Sequence, residues 1–471
     1  MRLPDGFTVR LNRRAQIADQ GGTLVGGAPT RVLYLTALAQ SLFSGDRIIV
    51  RSAASAAFAE RLLEAGVADP VVTELPPVTD AVTVVVPTRD RAGSVARLLA
   101  SIPSGMPVVV VDDCSRRPEL VQRVAERHGA RLVALPDNRG PAGARNAGLA
   151  VVTTPFVAFI DSDMVIDAET VPMLLRHFAN PRVALVAPRI AGLEPEDQHN
   201  WITRYEQARS SLDIGAEPGI VRPGAPVGWL PGACLVARTS VIGDPGTING
   251  FTPAMRVGED VDLVWRISEA GWRVRYEPAV EARHEHRRTL FDWLGRKAFY
   301  GSGADDLAAR HGTAVAPAVF TPWTLVFVGA LLAQRRWSLP VATVTAVVAG
   351  ARIGRHLRPT PDRARIAARL TAMGALAAAS QTAQLMARHW WPLAAAGSLV
   401  SRRLRRAVVV AAIADAVYEH RRVDTGMNLL VFAIARRLDD LAYGAGLWQG
   451  ALRSRSIRAL RPVVRVRSGI R

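Results

Sequence analysis

Four apolar runs in the first third of the chain constrain its fold most: AVTVVVP (81–87), PVVVVDD (107–113), ARLVALP (130–136) and PFVAFID (155–161). Each reads as a strand buried on both faces, because no polar residue alternates through it. Stretches of helical character lie between and after them, Ser94–Ser101, Pro118–Arg127 and Ala142–Val151. Such alternation predicts βαβ units, hence an α/β domain over residues 81–310 with a mainly parallel sheet. Right-handed crossovers bring the loops that follow the strands to one edge of the sheet, where these folds hold ligands.

Polar residues gather at those strand ends. The first run closes on Pro87-Thr88-Arg89-Asp90 and the second on Asp112-Asp113-Cys114-Ser115. Either aspartate can accept from the N–H of a base, although such a pair also serves as an ordinary turn or helix cap. The third loop, DNRGPAGARNAG, has small residues that let backbone approach a ligand, and Arg145 can neutralise a diphosphate. Its glycines are not the dinucleotide fingerprint, which would follow the first strand. The fourth run ends in Asp161-Ser162-Asp163, two carboxylates suited to Mg²⁺ or Mn²⁺. Farther on, Gly258-Glu259-Asp260 opens a helical run through Ser268. Acids in a first turn suit the helix dipole, and Asp260 is also placed to be a general base. A short strand, Val274–Glu277, leads to Arg283-His284-Glu285-His286, where His284 is the candidate third metal ligand.

Residues 1–76 read as a small winged-helix-like domain: strands Phe7–Leu11 and Thr23–Gly26, a helical run Arg31–Leu42, then Arg47–Val50 and a helix Ser52–Ala65 stopped by Gly66. Pro70–Asp80 reads as a linker. Residues 311–471 form an apolar, Arg-rich helical region. Ala314–Ala333 carries no charge over 20 residues, a length that just crosses a hydrocarbon core, and Trp337–Ala351 is shorter. The segments Ala364–Ala387, Trp390–Val400 and Ala407–Tyr418 have an interfacial character. From 401 to 471 there are fifteen Arg against five acidic residues, ten of the chain's excess of +18, placed to meet the anionic inner face of a cell membrane. Nucleic acid is disfavoured, since no helix-turn-helix or aromatic-basic sheet accompanies the charge. The opening MRLPDGFTVRL has no signal-peptide run, and Cys114 and Cys234 make no disulfide framework, which points to a catalytic domain on the cytoplasmic side.

Taken in order, VVVPTRDR, VVVDDCS, DNRGPAGARNAGL, FIDSD, WLPGACLVAR, GFTPAMRVGEDVDL and RHEH closely resemble the family 2 glycosyltransferases of the GT-A fold, over about residues 81–305. The resemblance implies an inverting transferase that uses a nucleotide-diphospho-sugar and a divalent metal. It implies uracil contacts near Thr88 and Asp112, with Pro87, Asp90 and Asp113 beside them, and Arg145 near the phosphates. It further implies ribose at Asp161, with Ser162 and Gly232 lining the donor site, metal at Asp163 and His284, and the base at Asp260 beside Glu259. The family's DDGS appears as DDCS, with Cys114 in place of glycine. The N-terminal block, LPDGFTVRLNRRAQ, and the overall length resemble a narrower branch, in which glucose from UDP-glucose is added to a peptide-derived redox cofactor precursor. A polyprenyl phosphate or glycolipid acceptor is the rival reading, and a non-catalytic nucleotide-sugar binding module is the rival from another class.

Overall fold

The computed structural model describes residues 2–193, 200–243, 248–423 and 425–466. It has two compact units, Met1–Ile17 with Gly21–Gln198 and Ser210–His286, and Ala18–Gln20 with His199–Arg209 and Arg287–Arg471.

In the first unit the four apolar runs are strands β1 (Val82–Thr88), β2 (Val108–Asp112), β3 (Arg131–Ala134) and β4 (Phe156–Ile160). Helices α1 (Ala92–Ser101), α2 (Pro118–Arg127) and α3 (Gly140–Leu149) fill the crossovers. Five more strands complete the sheet: β5 (Met164–Ile166), β6 (Val183–Gly192), β7 (Gly219–Ile220), β8 (Cys234–Arg238) and β9 (Arg273–His284). The order is β5-β9-β6-β8-β4-β1-β2-β3, with β7 paired to β9.

Only half of this sheet is the expected parallel arrangement. Strands β4, β1, β2 and β3 are mutually parallel, and β6 is parallel to β9. Strand β8 runs antiparallel to both β4 and β6, and β5 and β7 run antiparallel to β9. The sheet is therefore mixed. A buried apolar run has the same composition in either direction, so direction follows from where a connection delivers the chain. Cys234 opens β8 beside Ile160, at the end of β4, which obliges β8 to run back down.

The core is the valine-rich centre of β1, β2 and β4 with the inner faces of α1 and α2: Val84, Val86, Val110, Ala158 and Ile160 against Val95, Leu98, Val121 and Ala125. Register then sets the site. Thr88 lies opposite Asp112, and Met164, the residue after Asp163, lies opposite His284. Strand β9 is longer than the short Val274–Glu277 expected. Its first half is buried and its second half alternates between buried and exposed positions, a pattern that hides among its charges.

Residues Thr8–Leu11, Arg47–Ile49 and Ala68–Pro70 make a small antiparallel sheet, and helix Ala53–Ala65 packs on it through Leu62 and Leu63. That helix ends at Gly66 with φ 68°, the left-handed geometry glycine favours. The helix expected over Arg31–Leu42 is instead a strand, Arg31–Tyr34, followed by a short helix, Ala37–Ser41, capped by Thr36. Val32, Leu33 and Tyr34 suit a pleated surface, and the strand pairs with Thr23–Gly26. Salt bridges join this region to β9: Arg275 to Asp69 at 2.6 Å, and Arg273 to Glu60 and Glu64, each at 2.8 Å.

The second unit is helical. Its longer helices are Ser338–His356, Arg363–Gln384, Arg402–Arg422 and Leu429–Ser454. The uncharged stretch from 314 to 333 does not form one span. It contains a short strand, Val319–Phe320, and a helix of 12 residues, Pro322–Ala333. Among the described residues no helix is long and apolar enough to cross a membrane. The composition hid a break made by Pro317 and Pro322, which divide the run. Inside the unit, Lys297 is buried between Glu206 at 2.8 Å and Asp439 at 3.3 Å, and Tyr205 donates to Asp439.

Helix α3 lies so close to the sheet that a Cβ on Gly148 would stand 2.3 Å from Val85 and 3.1 Å from Val111. Gly148→Ala is expected to destabilise the protein by about 1–3 kcal/mol through overpacking, seen as a lower urea midpoint.

Candidate active site

The loop after β1 turns sharply. Asp90 sits at φ 58°, its N–H donates to Ser115 Oγ at 2.8 Å, and its carboxylate accepts from the Arg116 N–H at 2.7 Å. Pro87 and Thr88 are the last residues of β1, and Thr88 Oγ1 is buried with no hydrogen-bond partner among the described residues. In the loop after β2, Asp112 accepts from the N–H of Ser115 at 3.2 Å and from its hydroxyl. Asp113 accepts from the N–H of Arg139 at 2.7 Å and of Gly140 at 2.9 Å, bracing the third loop. Cys114 holds φ 57°, so the loop keeps a glycine-favouring conformation despite its side chain.

Arg145 projects from α3 into a nest of acids. It donates to Asp161 at 2.6 Å, to Glu259 at 2.8 Å and to the Gly232 carbonyl at 3.2 Å. The side chain is 3% exposed. Burial works against its charge, but Asp161 and then Glu259 outweigh it and hold the guanidinium above the ordinary arginine range. Asp260, at the head of helix α4 (Glu259–Glu269), accepts from the N–H of Gly232 at 2.7 Å and of Val261 at 2.8 Å. Burial raises its pKa, with Asp161 adding to the rise and Arg145 opposing it. Burial, then the charge of Asp260, pushes Glu259 up to about 7. Glycine suits position 232, where a Cβ would crowd Arg145 at 3.1 Å and Asp260 at 3.2 Å.

Ser162 is buried between Asp161 and Asp163, and Asp163 faces a different group. Its Oδ2 lies 3.5 Å from His284 Nε2 and is also bound by the Arg91 guanidinium. Burial would raise this carboxyl, but His284 and then Arg91 overcome that and hold it far below the usual carboxylate range. Among the described residues no group of three or more His, Cys, Asp or Glu converges as a metal cage. The Asp163–His284 pair still fits a divalent ion. One hard oxygen and one imidazole nitrogen converge, both side chains are only slightly exposed, and a donor diphosphate can supply further oxygens.

The structure thus gathers Arg145, Asp161, Gly232, Glu259 and Asp260 in one cluster. It places Asp163 with His284, and it turns Asp112 onto Ser115 of its own loop and Asp113 onto the third loop. Two contributors escaped the sequence reading. Arg91 gave no signal beyond a charge in a polar loop. Asn146, two-pronged on the Phe251 backbone at 2.7 and 2.8 Å, fastens the loop that leads to Asp260; its place in the small-residue loop was its only mark.

The model of glycosyl transferase family 2 matches residues 83–224, and that of glycosyl transferase family group 2 matches residues 156–397. The chain is 42% identical to a pre-mycofactocin glycosyltransferase of Mycobacterium tuberculosis, over 98% of this chain and 99% of that one. It is 33% identical to an uncharacterized glycosyltransferase of Mycobacterium bovis, over 41% of this chain and 82% of that one. A Pyrobaculum calidifontis mannosyltransferase, solved in complex with GDP-Man and Mn²⁺, is 20% identical with a TM-score of 0.39, over 78% of this chain and 90% of that one. At that distance the likeness bears on neither ligand nor mechanism.

Arg145→Met removes the cation from Glu259 and Asp161 and is expected to cost about 3–5 kcal/mol at pH 8. Without it Glu259, buried beside Asp260, holds its proton more tightly in the folded than in the unfolded chain. The penalty is then fully present above the folded pKa and shrinks as pH falls toward the unfolded value. Urea unfolding at pH 8 and pH 5.5 checks the difference.

Proposed function

Because the chain belongs to glycosyl transferase family 2, we propose that it transfers a hexose, glucose from UDP-glucose, with inversion onto the peptide-derived precursor of mycofactocin. The observation that carries the catalytic part is the acid cluster at the ends of β4 and α4, drawn together by one buried arginine. The acceptor rests on the end-to-end relative, whose name states pre-mycofactocin. The donor sugar rests on resemblance alone.

On this reading Thr88 and Asp112 face the uracil, with Pro87, Asp90 and Asp113 shaping the loops around it, and Asp161 with Ser162 meets the ribose. Asp163 and His284 would hold Mn²⁺ or Mg²⁺, which when bound neutralises charge developing on the departing diphosphate. Asp260 removes the proton from the acceptor hydroxyl as its oxygen forms the bond to the anomeric carbon. The bond from that carbon to the phosphate oxygen breaks on the opposite side, and UDP leaves. Two backbone N–H groups fix the Asp260 carboxylate, so it need not reorganise during the step. Burial disfavours the ionised form of Asp260 that a base requires, and Arg145 favours it.

Asp260→Asn is expected to bind UDP with unchanged affinity and to lose about 10²–10⁴ in turnover. Isothermal titration with UDP and a UDP-release assay with UDP-glucose, Mn²⁺ and the peptide-derived acceptor measure the two. Near-normal turnover would remove Asp260 from its role. Hexose-spaced masses on the acceptor support the reading, whereas label extracted into organic solvent favours a lipid acceptor.

We further infer that the helical unit rests on an anionic membrane surface without spanning it. Support comes from helix Ser338–His356, whose Val341, Val344 and Val348 are exposed in line with Trp337. Arg335 and Arg336 precede the helix, and Arg352 and Arg355 occupy its end. The double variant Val344→Asp, Val348→Asp is expected to lose co-sedimentation with phosphatidylglycerol vesicles while keeping its turnover on soluble acceptor.

A further inference from the structure

The contact that the catalytic reading leaves unexplained is Arg91 on Asp163. Arg91 stands between Asp90, whose backbone is left-handed, and the first turn of α1. Its guanidinium binds Asp163 Oδ2, the same oxygen that lies 3.5 Å from His284 Nε2. The Arg91 side chain is 35% exposed against 13% for Asp163, so the cation is the more solvent-facing partner of the pair. Six residues on, Arg97 binds Glu285 at 2.7 Å, so two arginines borne by the α1 segment face acids of the metal-pair region.

A guanidinium cannot shed its proton to make way for another cation. A divalent ion on Asp163 would stand beside a fixed positive charge, and the repulsion would be large in this poorly hydrated place. Arg91 therefore has to leave when such an ion arrives. Once free it needs an anion, and its planar fork matches phosphate oxygens. We propose that Arg91 is a resident counter-cation that neutralises Asp163 in the free enzyme and passes to the donor diphosphate on binding, so that metal and nucleotide enter as a pair. This rests on the assignment of Asp163 and His284 to the metal. It makes the affinity for Mn²⁺ depend on nucleotide, and by linkage the affinity for nucleotide depend equally on Mn²⁺.

The test is a Mn²⁺ titration of the full chain, followed by loss of the free-ion electron paramagnetic resonance signal, with and without saturating UDP. In the native protein UDP is expected to tighten Mn²⁺ binding at least about tenfold. Arg91→Met, which keeps bulk without charge, is expected to bind Mn²⁺ alone about tenfold more tightly and to show a correspondingly smaller effect of UDP. Arg91→Lys, which keeps the charge, is expected to behave like the native protein toward Mn²⁺ alone; should the Met variant fail to fold, Arg91→Gln takes its place. Equal Mn²⁺ affinity in the native and neutral variants, with the UDP effect intact, overturns the proposal and leaves the metal assignment standing. Absence of Mn²⁺ binding in every protein, UDP present, overturns both.

Discussion

One buried guanidinium makes the site possible. Asp161 and the adjacent Glu259 and Asp260 come from distant parts of the chain, and three carboxylates would repel one another without a cation among them. Arg145 supplies it, with one nitrogen on Asp161 and the Gly232 carbonyl and the other on Glu259. Lysine could not substitute, because a point charge has no rigid fork to span partners in fixed directions. The surrounding choices follow from this. Gly148 lets α3 approach β1, Gly232 leaves room for the guanidinium and for Asp260, and Asn146 fastens the strap that carries Glu259 into reach.

Much of this was legible in the residues, and the illegible parts have physical reasons. Continuous valine runs announce buried strands, and their ends announce where polar chemistry collects. Strand direction was hidden, because burial on two faces looks alike in parallel and antiparallel pairs. The latter part of β9 was hidden by its charges, which a half-exposed strand carries on its outer face. Among the site residues, the carboxylates, Arg145 and His284 were visible through their chemistry, while Arg91 and Asn146 were not. Nothing in the string VPTRDR tells which arginine folds back onto Asp163, and nothing in DDCS says that Asp112 turns onto Ser115 and Asp113 onto the third loop.

The helical unit teaches a different lesson. Its apolar content resembles that of a membrane span when counted over a window, yet proline breaks and a short strand divide the longest uncharged stretch. Alanine-rich helices bury little per residue, and the unit compensates with polar anchors such as Lys297 held between Glu206 and Asp439. Removing either partner of such a buried pair strands a charge, so these anchors fix how the helices are registered.

Asp113 has a consequence for how this enzyme can grip its donor. Many nucleotide-binding folds seat a phosphate on the bare amides at the head of the helix after a glycine-rich turn. Here those amides, on Arg139 and Gly140, are already occupied by an acid of the protein's own. The seat is filled from within, and a second anion brought there would meet the first. A phosphate approaching these two amides would find them taken and would have to be held by other groups.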